Sequence, residues 1–172
     1  MSLENAVMLA VIMERMVLTS KWADHRWEAV GVLPDADGES SAPRKLFEDA
    51  GRAQWLFPGL ELRLYGDEAE NYLLNVGAPE PRLFVMWRLG DGSGDAGEYG
   101  APGEAYPLAR PEFVTVSYGE AARMMDSAEQ VDGVPLPADL HGWIEDFARR
   151  HYQPPEKKKK GGRYATSKLR TQ

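Results

Sequence analysis

The stretch Trp22-Ala-Asp24-His25-Arg26-Trp27 gathers two indoles, a carboxylate, an imidazole and a guanidinium into six residues. Asp24 beside His25 is half of an acid–base pair. A triad would also need a nucleophile on a sharp elbow, and no Gly-x-Ser-x-Gly or comparable turn occurs. Neighbours on an extended chain point to opposite faces, which works against a hydrogen bond between the two. The plainer reading has Asp24 capping a turn and His25 satisfying a loop carbonyl. Glu68 and Glu70 are paired carboxylates, able to divide acid and base roles if they share a cleft, and a solvated face otherwise. His141 and His151 stand ten residues apart on one expected helix, outside the i, i+4 ligand spacing. Gly90-Asp-Gly-Ser-Gly94 has the composition of a phosphate loop without its Gly-Lys-Ser/Thr ending, and Asp91, Asp95 and Glu98 would oppose an anion. These residues lead to an expectation of no catalytic residue, no metal site and no cofactor.

Composition narrows the classes further. With 172 residues the chain is long enough for one domain with a sizeable core, to which five Trp and seven Tyr can contribute. The absence of cysteine removes disulfides, thiolate metal sites and cysteine nucleophiles, and fits a reducing, cytoplasmic compartment. The apolar run from Ala6 to Met13 stops at Glu14-Arg15, short of the roughly 20 residues a bilayer span needs. Glu4 ahead of it is wrong for a secretory leader, so a buried strand is expected there. The net charge is −7, unevenly spread. Residues 156–172 hold seven Lys/Arg and one Glu, leaving the body with 13 Lys/Arg against 26 Asp/Glu. Such an acidic body repels phosphate, so nucleic acid is expected to be contacted by the tail if at all.

The elements that must position these groups follow from periodicity. Val7–Leu18 and Trp27–Leu33 read as strands, the second stopped by Pro34. Arg44–Arg52 reads as a short helical turn, Gln54–Phe57 as a short strand, and Pro58-Gly59 as a turn. Leu60, Leu62 and Leu64 alternate with polar partners, the mark of a half-buried strand. Glu68–Val76 fits either strand or helical turn. Leu83–Leu89 is a strand covered on both faces, and Phe113–Ser117 another. Gly90–Pro111, with six glycines and three prolines, is too long for a plain turn. Ser117-x-x-Glu120 has capping-box spacing, predicting a helix to about Ser127 with Ala121, Met124, Met125 and Ala128 inward. Val131–Leu136 is extended. In Pro137–Tyr152 the residues Leu140, Trp143, Ile144, Phe147 and Ala148 recur at helical spacing. The sum is an α+β domain over residues 1–155: a mostly antiparallel sheet or half-barrel of six to seven strands with two C-terminal helices. A basic tail, 156–172, is expected to be disordered on its own.

The motifs Val11-x-x-Glu14-Arg15, Trp22-x-Asp24-His25-x-Trp27, Val30-x-Val32-Leu33-Pro34, Asp67-Glu68-x-Glu70-x-Tyr72, Val114-Thr115-x-Ser117, Asp126-Ser127, Val134-Pro135-x-Pro137 and Trp143, followed by basic residues, resemble a bacterial family known as domain of unknown function 3305. They cover most of residues 7 to 160. The chain departs from that family's usual Ser-Pro-Tyr-Glu-Ala at Ser117-Tyr-Gly-Glu-Ala121, and its Gly90–Pro111 loop is long. The resemblance implies no reaction. It implies a genomic neighbourhood of molybdenum-dependent formate dehydrogenase and its maturation factors. The resulting expectation is a non-catalytic accessory or assembly protein acting by protein contact, through Trp22, Asp24, His25, Arg26 and Trp27, with Trp55 as a further anchor. Its tail residues Lys157, Lys158, Lys159 and Lys160 would steer an acidic partner. The competing expectation is an enzyme or small-ligand binder that brings Asp24, His25 and Glu68 or Glu70 into one cleft; a weaker one makes the tail an RNA contact.

Overall fold

The computed structural model describes residues 5–19, 25–35, 42–90 and 108–155. Trp22, Asp24, most of the Gly90–Pro111 loop and Lys157–Lys160 lie outside the described residues. Among the described residues, seven strands form two antiparallel sheets. The first, in the order β2-β1-β4-β3, contains β1 (Ala6–Val17), β2 (His25–Pro34), β3 (Arg44–Glu48) and β4 (Arg52–Arg63). The second, β6-β5-β7, contains β5 (Arg82–Leu89), β6 (Ala109–Thr115) and β7 (Gln130–Pro135). The helices among the described residues are α1 (Ala69–Val76), entered through a 3-10 turn at Gly66–Glu68, α2 (Tyr118–Asp126) and α3 (Ala138–His151). The fold is thus α+β, as expected. In place of a single sheet or half-barrel it has two sheets that strand pairing does not close, and a helix in mid-chain adds to the two near the C-terminus.

The first sheet carries its apolar residues by register. Val11, Met13 and Arg15 of β1 face Val32, Ala29 and Trp27 on β2, and Phe57, Trp55 and Ala53 on β4. Their apolar members make up the inner face, where Leu9, Val11, Met13 and Trp55 are wholly buried. Two bulges adjust this register. Val30 is an extra residue between Ala29 and Gly31, which pair with Met13 and Ile12. Pro58 and Gly59 stand opposite Ala10 alone, with Gly59 at φ 82°, a conformation glycine adopts at little cost. Pro58-Gly59 is therefore a kink inside one twelve-residue strand, because β1 pairs with both of its halves. Arg44–Glu48 is an edge strand of that sheet, where a helical turn was expected; pairing with β4 outweighs its local preference.

The second sheet packs against the first, with β6 near β4 and β7 near β2. One side chain ties this last seam. Asp132 Oδ2 on β7 accepts from the backbone N–H of Ala29 on β2 at 2.9 Å and from Trp87 Nε1 on β5 at 2.7 Å. β2 and β7 are both sheet edges, so this carboxylate occupies an edge donor that would otherwise face another chain. Pro111 falls on edge strand β6, where a missing N–H is tolerated. Helices α1 and α3 complete the core with Tyr72, Val76, Leu140, Ile144, Phe147 and Ala148.

Candidate functional site

The densest set of polar side chains lies where the turn before α1 meets the turn into α2. The Ser117 hydroxyl, fully buried, caps α2 by accepting the Glu120 backbone N–H at 3.1 Å and donates to Glu68 Oε2 at 2.6 Å. Glu68 also accepts from Asn71 Nδ2 at 3.0 Å and from Arg123 at 2.8 Å, and Asn71 Oδ1 takes the Gly119 N–H. The box expected at Ser117 is half formed. Glu120 does not reach back to the Ser117 amide; it accepts from Thr115 Oγ1, which in turn accepts that amide. Behind this set Asn75, fully buried, donates to the carbonyls of Arg82 and Val116 and accepts the Arg82 N–H.

The two carboxylates are pushed in opposite directions. Burial opposes ionisation of Glu68, but hydrogen bonds from Ser117 and Arg123, the charge of Arg123 and the bond from Asn71 overcome it and hold the carboxyl below the ordinary range. Burial raises Glu120, the Thr115 hydrogen bond only partly offsets this, and the charge of Glu68 adds to it. Opposed carboxyls of this kind can serve as acid and base. Here both are turned onto neighbouring side chains that hold the fold together. Ser117, the one hydroxyl on Glu68, has no exposed surface from which to reach a substrate. The arrangement is that of a brace.

A cleft of about 400 Å³ opens beside it, lined by Gly66, Asp67, Ala69 and Glu70 on one wall and His151, Tyr152 and Gln153 at the end of α3 on the other. Its imidazole stacks on Phe147 at 4.2 Å between centroids. A Cβ at Gly66 would lie 3.1 Å from His151 Nδ1, close enough that the imidazole would have to give by a few tenths of an ångström.

The chain matches, over residues 8–161, the family described as Protein of unknown function (DUF3305). The chain belongs to the DUF3305 family. No curated protein and no solved structure matches it significantly. The DUF3305 span runs from β1 past α3, so both sheets, the Glu68–Ser117 brace and the cleft lie within it.

Sequence-predicted residues of this DUF3305 chain are dispersed. His25 opens β2 opposite Val17 at one end of β1, whereas Glu68 and Glu70 follow the end of β4, whose Arg63 pairs with Ala6 at the other. A twelve-residue strand separates them, on the order of 30 Å. His25 and the glutamates therefore do not share a cleft, and Glu68 and Glu70 divide between brace and cleft. Trp27 is a core residue, stacked on buried Trp55 at 5.2 Å, with Arg15 over both rings at 5.9 and 4.9 Å. Neither indole is free to anchor a partner, since period two sends Trp27 inward with Ala29. Arg26 takes the opposite face and is exposed. Asp132 was not singled out by any motif, and nothing local marks a lone aspartate as the link between two sheets.

The outer face of the first sheet is the remaining feature. Ile12 lies between Gly31 and Leu56, and the same face carries Met8, Leu33, Met16 and Phe47. Leu33 is 48% and Met16 41% exposed, and the others are half-buried. Glu14, ion-paired to Arg52 at 3.0 Å, borders it. Among the described residues no group of His, Asp or Glu is placed to hold a metal, and no helix is long and apolar enough to cross a membrane.

Proposed function

We propose that the chain is a non-catalytic accessory or assembly protein that works by protein–protein contact, with a molybdenum-dependent formate dehydrogenase or one of its maturation factors as the partner. The observation that carries the contact mode is the outer face of the first sheet, where Met8, Ile12, Leu33, Met16, Phe47 and Leu56 are all exposed or half-buried. An antiparallel sheet commonly leaves one face to water, but that face is then polar; an apolar patch with a charged rim is the form an interface takes. Arg26, on the same face, supplies a peripheral guanidinium. The choice of partner rests on the gene neighbourhood implied by the family resemblance. The basic tail would add electrostatic steering toward an acidic partner.

Tagged protein recovered from its native host is expected to bring formate dehydrogenase with it. Ile12→Asp, which places a charge at the centre of the open face, should abolish that recovery while leaving the circular dichroism spectrum native. Undiminished formate dehydrogenase activity in a clean deletion strain would overturn the choice of partner. Undiminished recovery by Ile12→Asp would overturn the choice of face.

A further inference from the structure

The inner face of the first sheet turns from apolar to charged at one end. Register sets two adjacent rows there. Trp27, Arg15, Ala53 and Glu48 lie side by side across β2, β1, β4 and β3, and Ala29, Met13, Trp55 and Lys45 form the row next to them. Arg15 Cζ lies 4.9 Å from the Trp55 ring, and Lys45 Nζ lies 5.3 Å from it. The Arg15 side chain is 11% exposed, so its charge must be matched at short range. One carboxylate serves both cations: Glu48 Oε2 accepts from Lys45 Nζ at 3.0 Å and from Arg15 Nη2 at 3.5 Å. The neighbouring acids are committed elsewhere. Asp49 caps the Gly51 and Arg52 amides, Glu14 pairs with Arg52 on the outer face, and Asp132 holds Ala29 and Trp87. His25 ends the same inner face one row further out, opposite Val17.

A second observation points to an oxyanion. Trp55 is wholly buried, and its Nε1–H has no acceptor among the described residues. About nine in ten buried polar groups have a partner, so an indole N–H left over beside two cations marks a place for one more oxygen. Glu48 shows which chemistry fits, because a carboxylate already bridges the two cations. It is a loosely held occupant: its side chain is 47% exposed on an edge strand, and Ala53 puts only a methyl between it and Arg15. Turning it into solvent opens the space above Ala53. We propose that this corner is a carboxylate-binding site, in which Glu48 is the resident occupant and a carboxylate from outside takes its place on Arg15, Lys45 and the Trp55 Nε1–H. The incoming group gains the indole donor that Glu48 leaves unused, and bonds to charged donors are the strong ones. The site lies on the opposite face of the sheet from Ile12 and does not rest on the identity of any partner.

The indole N–H resonances of the full chain read the test. Sodium acetate is titrated in at constant ionic strength, with chloride as the balancing anion. The Trp55 N–H is expected to move downfield and saturate, as a donor that gains an acceptor does. Glu48→Gln, at an exposed position, should tighten acetate about two- to fivefold, the range an exposed ion pair supplies, and Lys45→Gln should weaken it by a similar factor. Unperturbed amides elsewhere verify that each variant is folded. A blocked glutamyl tripeptide separates the two sources of the group: tighter binding than acetate assigns an acidic protein segment, equal binding a small organic acid, and both bear the proposal out. A Trp55 N–H that stays in place in both the native chain and Glu48→Gln overturns it. So does an acetate affinity that Glu48→Gln leaves unchanged. Inorganic phosphate moving the same resonance at lower concentration than acetate overturns the choice of carboxylate.

Discussion

Ser117 Oγ donates to Glu68 Oε2 at 2.6 Å across 49 residues of sequence while capping α2 through the Glu120 N–H. One hydroxyl thus satisfies a helix end and a partly buried carboxylate together. Because Arg123 and Asn71 complete the set, the entry to α1 and the whole of α2 are fixed to each other by polar bonds and not by apolar packing alone. Loss of Glu68 leaves the buried Ser117 hydroxyl without its acceptor.

The opposed carboxyls give a pH signature. Glu68 sits below its ordinary 4.5, so its contribution is present above the unfolded value and is lost as pH falls through the folded one. Glu120 is raised above 4.5, so the folded chain keeps that proton longer, and stability declines as pH climbs from 4.5 through the raised value. Glu68→Gln is expected to cost about 1–3 kcal/mol at neutral pH. Glu120→Gln, which keeps an acceptor for Thr115, is expected to be neutral or stabilising there and to remove the decline. Urea unfolding of both variants from well below pH 4.5 up to neutral reads the two signs, Glu68 below that value and Glu120 above it.

The Asp132 carboxylate predicts a contrast between two substitutions. Asp132→Ala strands the indole N–H of Trp87 and the backbone N–H of Ala29 and should cost about 2–4 kcal/mol. Asp132→Asn retains an oxygen acceptor and should cost less than half of that. Equilibrium unfolding followed by tryptophan fluorescence distinguishes them; equal costs would mean that the charge, and not the acceptor, joins the sheets.

Helix α2 ends on a residue of the wrong type for its backbone. Ala128 has φ 63°, and the bonds Ala128 N–H to the Met125 carbonyl and Glu129 N–H to the Met124 carbonyl form a Schellman turn. Glycine adopts this conformation without a Cβ penalty. Ala128→Gly is expected to raise stability by about 0.5–1 kcal/mol, measured as a higher urea midpoint at unchanged slope.

Gly142 is the converse. It lies inside α3, and a Cβ built there meets nothing within 4 Å. Gly142→Ala should stabilise by about 1 kcal/mol through helix propensity. A change in the opposite direction in thermal unfolding would show that this position is covered in solution.

Much of this architecture was legible because it is local. Leu140, Ile144, Phe147 and Ala148 recur at helical spacing, and all are buried in α3. Alternation of Leu60, Leu62 and Leu64 fixed which side of β4 faces the core. Ser117 capped a helix where its spacing said it would, although Met125 and Ala128, expected inward, point to solvent because α2 buries just Ala121. Glu68–Val76 was open between strand and helix, and its helical outcome follows from tertiary demands: Tyr72 fills the core while its hydroxyl accepts the Tyr65 N–H, and Asn75 bonds two distant backbones.

By itself, then, the amino-acid order determined an α+β fold, the inward faces of α3 and of the Leu60–Leu64 stretch, the lack of thiol chemistry and the division into acidic body and basic tail, since periodicity, residue type and charge act over a few positions. Tertiary structure alone decided that the strands split into two sheets, that Trp27 is core while Ile12 is half-open, that Glu68 braces Ser117 whereas Glu70 lines a cleft, and that His25 stands a strand's length from both. Those outcomes depend on pairing register and on contacts between residues 40 to 100 apart, where a side chain's neighbours are set by which edges meet and not by what precedes it in the chain.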